Sequence, residues 1–270
     1  MSGRLRAALF QGPEFGGDVS SNLDALTAAA ERASDAGASI LVTPEMSTTG
    51  YDIGDLVRRR AEAASGPIFS RLAAVAARTG VAVVYGYPEL GENGVFNSVQ
   101  VIGADGNALV NYRKTHLFGD LDRGHFEPGD DPVVQFEIEG LTCGVLTCYD
   151  VEFPEAVRAH ADAGTQWLVV PTGLMVPFDI VATHVVPARA YESQLFITYV
   201  NRCGTETDLQ YCGLTCAIAP DGTELARAGR GEETLVVDID ARELARSREI
   251  NTHLVDRRFD LYSLHRKGTR

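Results

Sequence analysis

Along the chain, short apolar runs that alternate like strands are separated by stretches whose apolar positions recur every three to four residues. Residues 4–10 predict a strand. Residues 21–36 predict an amphipathic helix, with Leu23, Leu26, Ala30 and Ala33 on one face and Ser21 with Asp24 as a capping box at its start. The run SILVT, residues 39–43, predicts a buried strand ending at Pro44-Glu45. A helix over 67–78 stops at Gly80, and residues 81–87 predict the next strand.

The rhythm then changes to hairpins. Segments 96–102 and 108–112 flank Asp105-Gly106, segments 133–138 and 141–146 flank Glu139-Gly140, and segments 214–219 and 224–228 flank Asp221-Gly222. Between the second and third hairpins lie a helix over 153–163, a strand over 167–170, a helix over 180–192 and a strand over 195–200. A strand over 234–237 precedes a helix over 241–248. No internal repeat, low-complexity tract or Pro/Ser linker divides the chain, so one domain over 1–270 is expected. Hairpins mixed with parallel crossovers, and helices enough for two outer faces, fit two packed sheets better than one doubly wound sheet.

A chain of 270 residues can bury about 75% of its unfolded surface. Its net charge of −13 argues against partners such as nucleic acid or anionic lipid. The compact basic run Arg58-Arg59-Arg60 reads as a solvated helix face. The first residues lack the apolar core of a signal peptide, and no stretch reaches the ~20 apolar residues of a membrane span. Five cysteines, an odd number without a compact disulfide framework, suit a reducing, cytoplasmic setting.

Among 24 basic residues only Lys114 and Lys267 are lysine. Lys114 stands beside an arginine in NYRKTHLFGD, as though an amine and not a guanidinium were required there. Nucleotide-binding glycine motifs, G-x-S-x-G and H-E-x-x-H are absent. Cys212-x-x-x-Cys216 has no matching half, so no metal site and no cofactor are expected, and Cys143, Cys203, Cys212 and Cys216 read as small buried hydrophobes.

Cys148 differs. In LTCGVLTCYDVEFPE a strand pattern stops at this residue, and Phe153-Pro154-Glu155 begins a helix whose N-terminus is expected to lower a thiol pKa. Such a cysteine could be a packed thiol, a metal ligand or a nucleophile. Glu45 likewise follows a buried strand, where a lone carboxylate is costly, and reads either as a loop cap or as a functional group. Lys114 ends the strand over 108–112 and reads as a surface lysine or a functional one. A carboxylate, an amine and a thiol, each at a strand end, supply the base, oxyanion donor and nucleophile of acyl transfer.

PEMSTTGYD, YRKTHLFGD and GVLTCYDVEFPE together resemble the three motifs of the nitrilase superfamily of carbon–nitrogen hydrolases, in the same order. TGLMVPFDIVATHVVPARAYESQLFITYVNRCG resembles the segment after the nucleophile in its amidase branch. The resemblance implies an α/β fold, a four-layer αββα sandwich of two mixed β-sheets flanked by helices, assembled as a homodimer or higher homo-oligomer. It implies a Glu45–Lys114–Cys148 triad with no cofactor or metal. Many members carry a second glutamate after the lysine; this chain has the shorter Asp122 at the corresponding position.

On this reading Cys148 attacks a carboxamide, Glu45 moves the protons, and Lys114 with the Tyr149 N–H holds the oxyanion. Asp122 orients Lys114 or positions the amide nitrogen. Tyr51, Tyr149, Thr172, Met175 and Phe178 are the expected pocket walls, mostly apolar and without an arginine clamp for a carboxylate. The expected substrate is a small neutral amide. Alternatives are a nitrile or N-carbamoyl substrate on the same triad, a Cys–His hydrolase using His116 or His184, and a catalytically silent binding protein. The apolar tail over 250–270, with Leu254, Phe259, Leu261, Tyr262 and Leu264, is expected to touch a partner subunit.

Overall fold

The computed structural model describes residues 3–12 and 18–262. In chain order, β1 (Arg4–Gln11) leads to α1 (Val19–Asp35), β2 (Ile40–Val42), α2 (Leu56–Arg60), α3 (Pro67–Thr79), β3 (Ala82–Gly91), β4 (Gly94–Ile102) and β5 (Ala108–Arg113). Next come α4 (Gly119–Arg123), β6 (Val134–Ile138), β7 (Leu141–Val145), a 3₁₀ turn (Cys148–Glu152), α5 (Pro154–Asp162) and β8 (Trp167–Pro171). A π-helical turn (Val181–Val185) runs into α6 (Val186–Ser193), followed by β9 (Phe196–Val200) and the short pair β10 (Thr205–Glu206) and β11 (Leu209–Gln210). The described chain ends with β12 (Cys216–Ile218), β13 (Glu224–Arg227), β14 (Glu233–Asp240), α7 (Ala241–Ile250) and α8 (Phe259–Tyr262).

Two six-stranded sheets result, in the orders β14-β1-β2-β3-β4-β5 and β13-β12-β9-β8-β7-β6. Each has three parallel strands at its heart, β1-β2-β3 and β7-β8-β9, with antiparallel strands outside them. The strand pleat explains how the layers stack. Along the first sheet Leu5, Ala7, Leu9, Ile40, Val42, Ala82 and Val84 share one core with Val145, Trp167, Val169 and Phe196 of the second. The intervening Ala8, Phe10, Leu41, Val83 and Tyr85 pack on α1 and α3 through Leu23, Leu26, Leu72 and Val75. Burying each of those leucines contributes about 2 kcal/mol. α5 and α6 cover the other outer face with Val157 and Val186. The architecture is the four-layer sandwich of two mixed sheets expected from the motif pattern.

Several local boundaries differ from the sequence reading. α1 starts at Val19, and Asp18 caps it by accepting from the Ser21 N–H, in place of a Ser21–Asp24 box. β3 runs past Tyr87 to Gly91, because Pro88 and Glu89 pair with Asn97 and Phe96 despite breaking the apolar pattern. Glu89 tolerates its buried place by accepting from Ser98, Asn111 and Arg113. The helix expected over 180–192 is split, since Pro187 has no N–H for the ladder and a π turn takes up the break.

Candidate active site

Three strand ends and their loops converge at one edge of the sandwich. Past β2, the chain turns sharply at Pro44–Ser47, with Met46 at φ 51°. Gly86 of β3 makes this turn possible: a Cβ there would lie 2.4 Å from the Met46 nitrogen and 2.9 Å from the Glu45 carbonyl carbon. The Glu45 N–H donates to the Thr172 carbonyl of the other sheet at 3.3 Å, so the two sheets meet at this loop. Past β5, the Lys114 N–H donates to the Asn97 carbonyl at 2.8 Å. The chain then folds back through α4, which carries Asp122.

The side chains form one buried cluster. Lys114 Nζ donates to Glu45 Oε1 at 2.8 Å and to Asp122 Oδ2 at 2.6 Å, and all three side chains are fully buried. An ammonium has three protons, so one remains after these two bonds. Asn97 Nδ2 donates a second bond to Glu45 Oε1 at 2.7 Å, whereas Glu45 Oε2 is buried with no partner among the described residues. That oxygen lies 3.2 Å from where a Cβ on Gly173 would sit, so only a glycine leaves the space beside it open.

Three donors hold Asp122. Oδ1 accepts from the Tyr51 hydroxyl at 2.9 Å, and Oδ2 accepts from Lys114 and from the Phe118 N–H at 2.9 Å. Tyr51 is itself fixed, because its N–H and that of Asp52 donate to the Glu206 carboxylate at 3.0 Å. Glu206 also accepts from the Tyr211 hydroxyl and lies beside the buried Arg202.

Cys148 occupies the corner between β7 and α5, at φ 48°, a left-handed conformation that costs a non-glycine residue of order 1–3 kcal/mol. A 3₁₀ turn intervenes here: Cys148 opens it, and α5 begins only at Pro154. The expected lowering of its pKa by a helix N-terminus is therefore corrected. Burial, and next the charge of Glu45, push the thiol above its ordinary range, against the pull of Lys114 and of hydrogen bonding with the Thr172 side chain and the Gly173 N–H. Burial also raises the Glu45 pKa, aided by Asp122 and opposed by Lys114. Lys114 is held well above its ordinary value: burial opposes this, but Glu45, Asp122 and Cys148 outweigh it.

Asp150 ties the nucleophile turn to the lysine loop. It accepts from Thr147 N–H and Tyr112 hydroxyl on Oδ2, and from Thr115 hydroxyl and His116 N–H on Oδ1. His116 Nδ1 also lies 2.8 Å from Asp150 Oδ1, and its ring stacks on Phe153 at 4.0 Å. His184 is exposed beside Thr183. The charged groups that act on Cys148 are thus Glu45 and Lys114, and neither histidine is its partner.

A narrow cavity opens onto Cys148. Tyr149, Met175 and Phe178 line it, as do Phe118 and Leu174, and Phe118 meets Tyr149 and Phe178 edge-on at 5.4 and 5.9 Å. Tyr51 and Thr172, expected as walls, are not part of its lining. Tyr51 is spent on Asp122, and the Thr172 hydroxyl donates to Tyr199 at 2.9 Å. Glu152 also lines the cavity and was not singled out from sequence; nor were Asn97, Asp150 and Glu206. Asn97 had a signal, a polar residue at an inward position of VFNSVQV, and Asp150 had one as the fourth residue of a capping box begun by Thr147. No group of three or more His, Cys, Asp or Glu among the described residues has the arrangement of a metal site.

Comparison with known proteins matches residues 6–249 to the carbon–nitrogen hydrolase family. A protein described as a hydrolase in the pqqF 5' region of Pseudomonas protegens is 45% identical over 260 residues, 96% of this chain and 90% of that protein. An (R)-stereoselective amidase from a Pseudomonas species is 37% identical over 91% of this chain and 88% of its own length. A mutant of the amidase from Nesterenkonia AN1, described as from the nitrilase superfamily, superposes with TM-score 0.88 at 32% identity, covering 98% of both chains. The match runs through every element that builds the Glu45–Lys114–Cys148 cluster, and the chain belongs to the carbon–nitrogen hydrolase family of the nitrilase superfamily.

Proposed function

We propose that the protein is an amidase that converts small carboxamides to carboxylic acid and ammonia through a thioester on Cys148. The observation that carries this reading is the pair of unspent groups beside the thiol: one proton on Lys114 Nζ and one oxygen, Oε2, on Glu45. Glu45 Oε2 takes the thiol proton as Sγ attacks the carbonyl carbon. The raised Glu45 pKa makes its carboxylate a stronger base toward a thiol that burial makes less acidic. The free Lys114 N–H and the Tyr149 N–H hold the oxyanion; losing one such donor costs ~10²–10³ in rate. Glu45 then protonates the leaving ammonia and activates the water that hydrolyses the thioester, regenerating Cys148. Asp122 is bonded to Lys114 and held by Tyr51 and the Phe118 N–H, so its role is to orient that lysine and not to hold the amide nitrogen.

Amide is favoured over nitrile because a nitrile brings no oxygen for Lys114 to hold at the outset. The cavity lining, mostly apolar and without an arginine, favours substrates lacking a carboxylate. Mutants of the Nesterenkonia amidase are described in complex with butyramide, and with the acetamide moiety of fluoroacetamide on the active-site cysteine, which supports small-amide binding and a nucleophilic cysteine here. Five cysteines without a disulfide support a reducing compartment, the cytoplasm. We also propose a single catalytic domain that works as a homo-oligomer.

The test is kcat/KM for propionamide, propionitrile and N-carbamoyl-β-alanine with the wild type and Cys148→Ala. The amide should be hydrolysed best, and Cys148→Ala should lose activity while keeping its fold. A tenfold preference for the nitrile or carbamoyl compound would overturn the amidase reading, and a tenth of the activity in Cys148→Ala would overturn the nucleophile.

A further inference from the structure

The cavity contains one charged side chain besides the reacting groups. Glu152 ends the 3₁₀ turn that Cys148 begins, and it lines the same narrow space among Phe118, Tyr149, Met175 and Phe178. Among the described residues no donor is bonded to its carboxylate. Arg189 is the nearest candidate, but its Nε donates to the Val151 carbonyl at 3.2 Å and its NH2 to the Glu152 backbone carbonyl at 2.8 Å. Its remaining nitrogen donates to Glu192 at 2.9 Å. The Glu152 carboxylate has no hydrogen bond or ion pair among the described residues, although the residue is half-buried. A half-buried carboxylate without a partner costs free energy that a ligand donor can recover.

We propose that Glu152 is a specificity-determining residue that selects amides carrying an ammonium or other hydrogen-bond donor at the end remote from the scissile carbonyl. The inference rests on the amidase reading for its chemistry. The aliphatic body of such a substrate lies along the aromatic wall, its carbonyl meets Cys148 and Lys114, and its cationic end meets Glu152. The same carboxylate repels an amide that ends in a carboxylate. Burial leaves the Glu152 pKa above the ordinary carboxylate value, against the opposing charges of Arg189 and Lys114, and a cationic substrate end would favour the ionised form further.

Three linear amides of matched length separate charge from size: pentanamide, 4-aminobutanamide and glutaramate, the last one slightly longer. In the wild type, kcat/KM for 4-aminobutanamide should exceed that for pentanamide by about tenfold or more, the scale of one charge-assisted hydrogen bond, with glutaramate lowest. In Glu152→Gln the ratio of 4-aminobutanamide to pentanamide should fall to about one, and glutaramate should gain on both. A ratio that stays the same in Glu152→Gln, including an equal loss on all three compounds, overturns the proposal.

A second readout needs no turnover. Wild-type Cys148 is alkylated with iodoacetamide in the presence of each amide. Protection by 4-aminobutanamide at about tenfold lower concentration than pentanamide supports the proposal even if no ammonia is released, in which case the amidase reading alone fails. Equal protection of the wild type by the two compounds overturns the proposal, whether or not Glu152→Gln folds.

Discussion

Lys114 Nζ lies 2.6 Å from Asp122 Oδ2, a contact in which both partners are fully buried and Asp122 has no other freedom. The aspartate is held by Tyr51 on one oxygen and by the Phe118 N–H on the other, so the lysine is aimed by a rigid group. Asp122→Asn keeps the size but sets an amide where donors converge, and removes a charge that helps keep Lys114 protonated. We expect kcat to fall by ~100-fold, comparable to a displaced oxyanion donor, with KM for a neutral amide changed far less. Steady-state kinetics on the purified variant check this. A change confined to KM would place Asp122 in substrate binding.

The pH profile follows from Glu45. Burial, and then the Asp122 charge against the Lys114 charge, leave its pKa above the ordinary carboxylate value. The base works only when ionised, so kcat/KM should rise with pH through this raised value and not through the ordinary one of about 4.3. Removing the negative charge of Asp122 lowers the Glu45 pKa, so the acidic limb of Asp122→Asn should move to lower pH. An acidic limb unmoved by that substitution would separate the limb from Glu45.

Lys114→Arg retains charge in a protein that otherwise prefers arginine. The lysine sits with no exposed surface between two carboxylates, and one ammonium proton remains unspent after those two bonds. A guanidinium is planar and larger, so it cannot replace both bonds and leave the same donor in place. Turnover should drop by at least ~100-fold. Single-turnover kinetics would show a wild-type acylation rate only if charge alone were sufficient.

The parts of the site legible in the sequence were those that sit where a local pattern breaks. Glu45 and Cys148 follow buried apolar strands, and Lys114 follows β5 as a rare lysine in a chain that otherwise uses arginine, so each needs a reason to be there. The sandwich was legible for a related cause: alternation within strands and turn residues between them are local. What stayed hidden depends on contacts across the chain. Glu206 reaches Tyr51 over 155 positions from a two-residue strand, and nothing near TET in the sequence signals this. Glu152 stands just before the helix expected over 153–163 and had no reading of its own; it lines the cavity because a 3₁₀ turn precedes α5. The lowered thiol pKa failed for the same reason, since it relied on a helix end that lies beyond the turn.

Asp150 should dominate stability more than activity would suggest. Its two oxygens collect donors from Tyr112, Thr115, His116 and Thr147, so one buried carboxylate joins the lysine loop to the nucleophile turn. Asp150→Ala leaves several buried donors without an acceptor, each costing about 1–3 kcal/mol. A loss of at least ~3 kcal/mol in urea unfolding is expected, with an unchanged slope. A loss under 1 kcal/mol would mean that water replaces the carboxylate without cost.

The final expectation concerns assembly. Beyond α7 the chain presents Val255 at 84% exposure, Phe259 at 60% and Tyr262 at 57%, with Leu261 half exposed beside them. Leu254 packs on the core, so the segment is anchored at its root and apolar at its outer face, while Leu264 lies outside the described residues. Four large apolar side chains held together on one short stretch are better covered by a protein surface than by water. The same stretch carries Arg257 against Asp162, which fixes its direction on the subunit and presents Phe259 outward. A second copy of this chain is the simplest partner, and a symmetric contact would cover both tails at once. Sedimentation at micromolar concentration should therefore give a dimer or larger species, and Phe259→Ser with Leu261→Ser should shift it toward the 29.1 kDa subunit. A wild-type protein that sediments as a single subunit would remove the tail from any role in assembly.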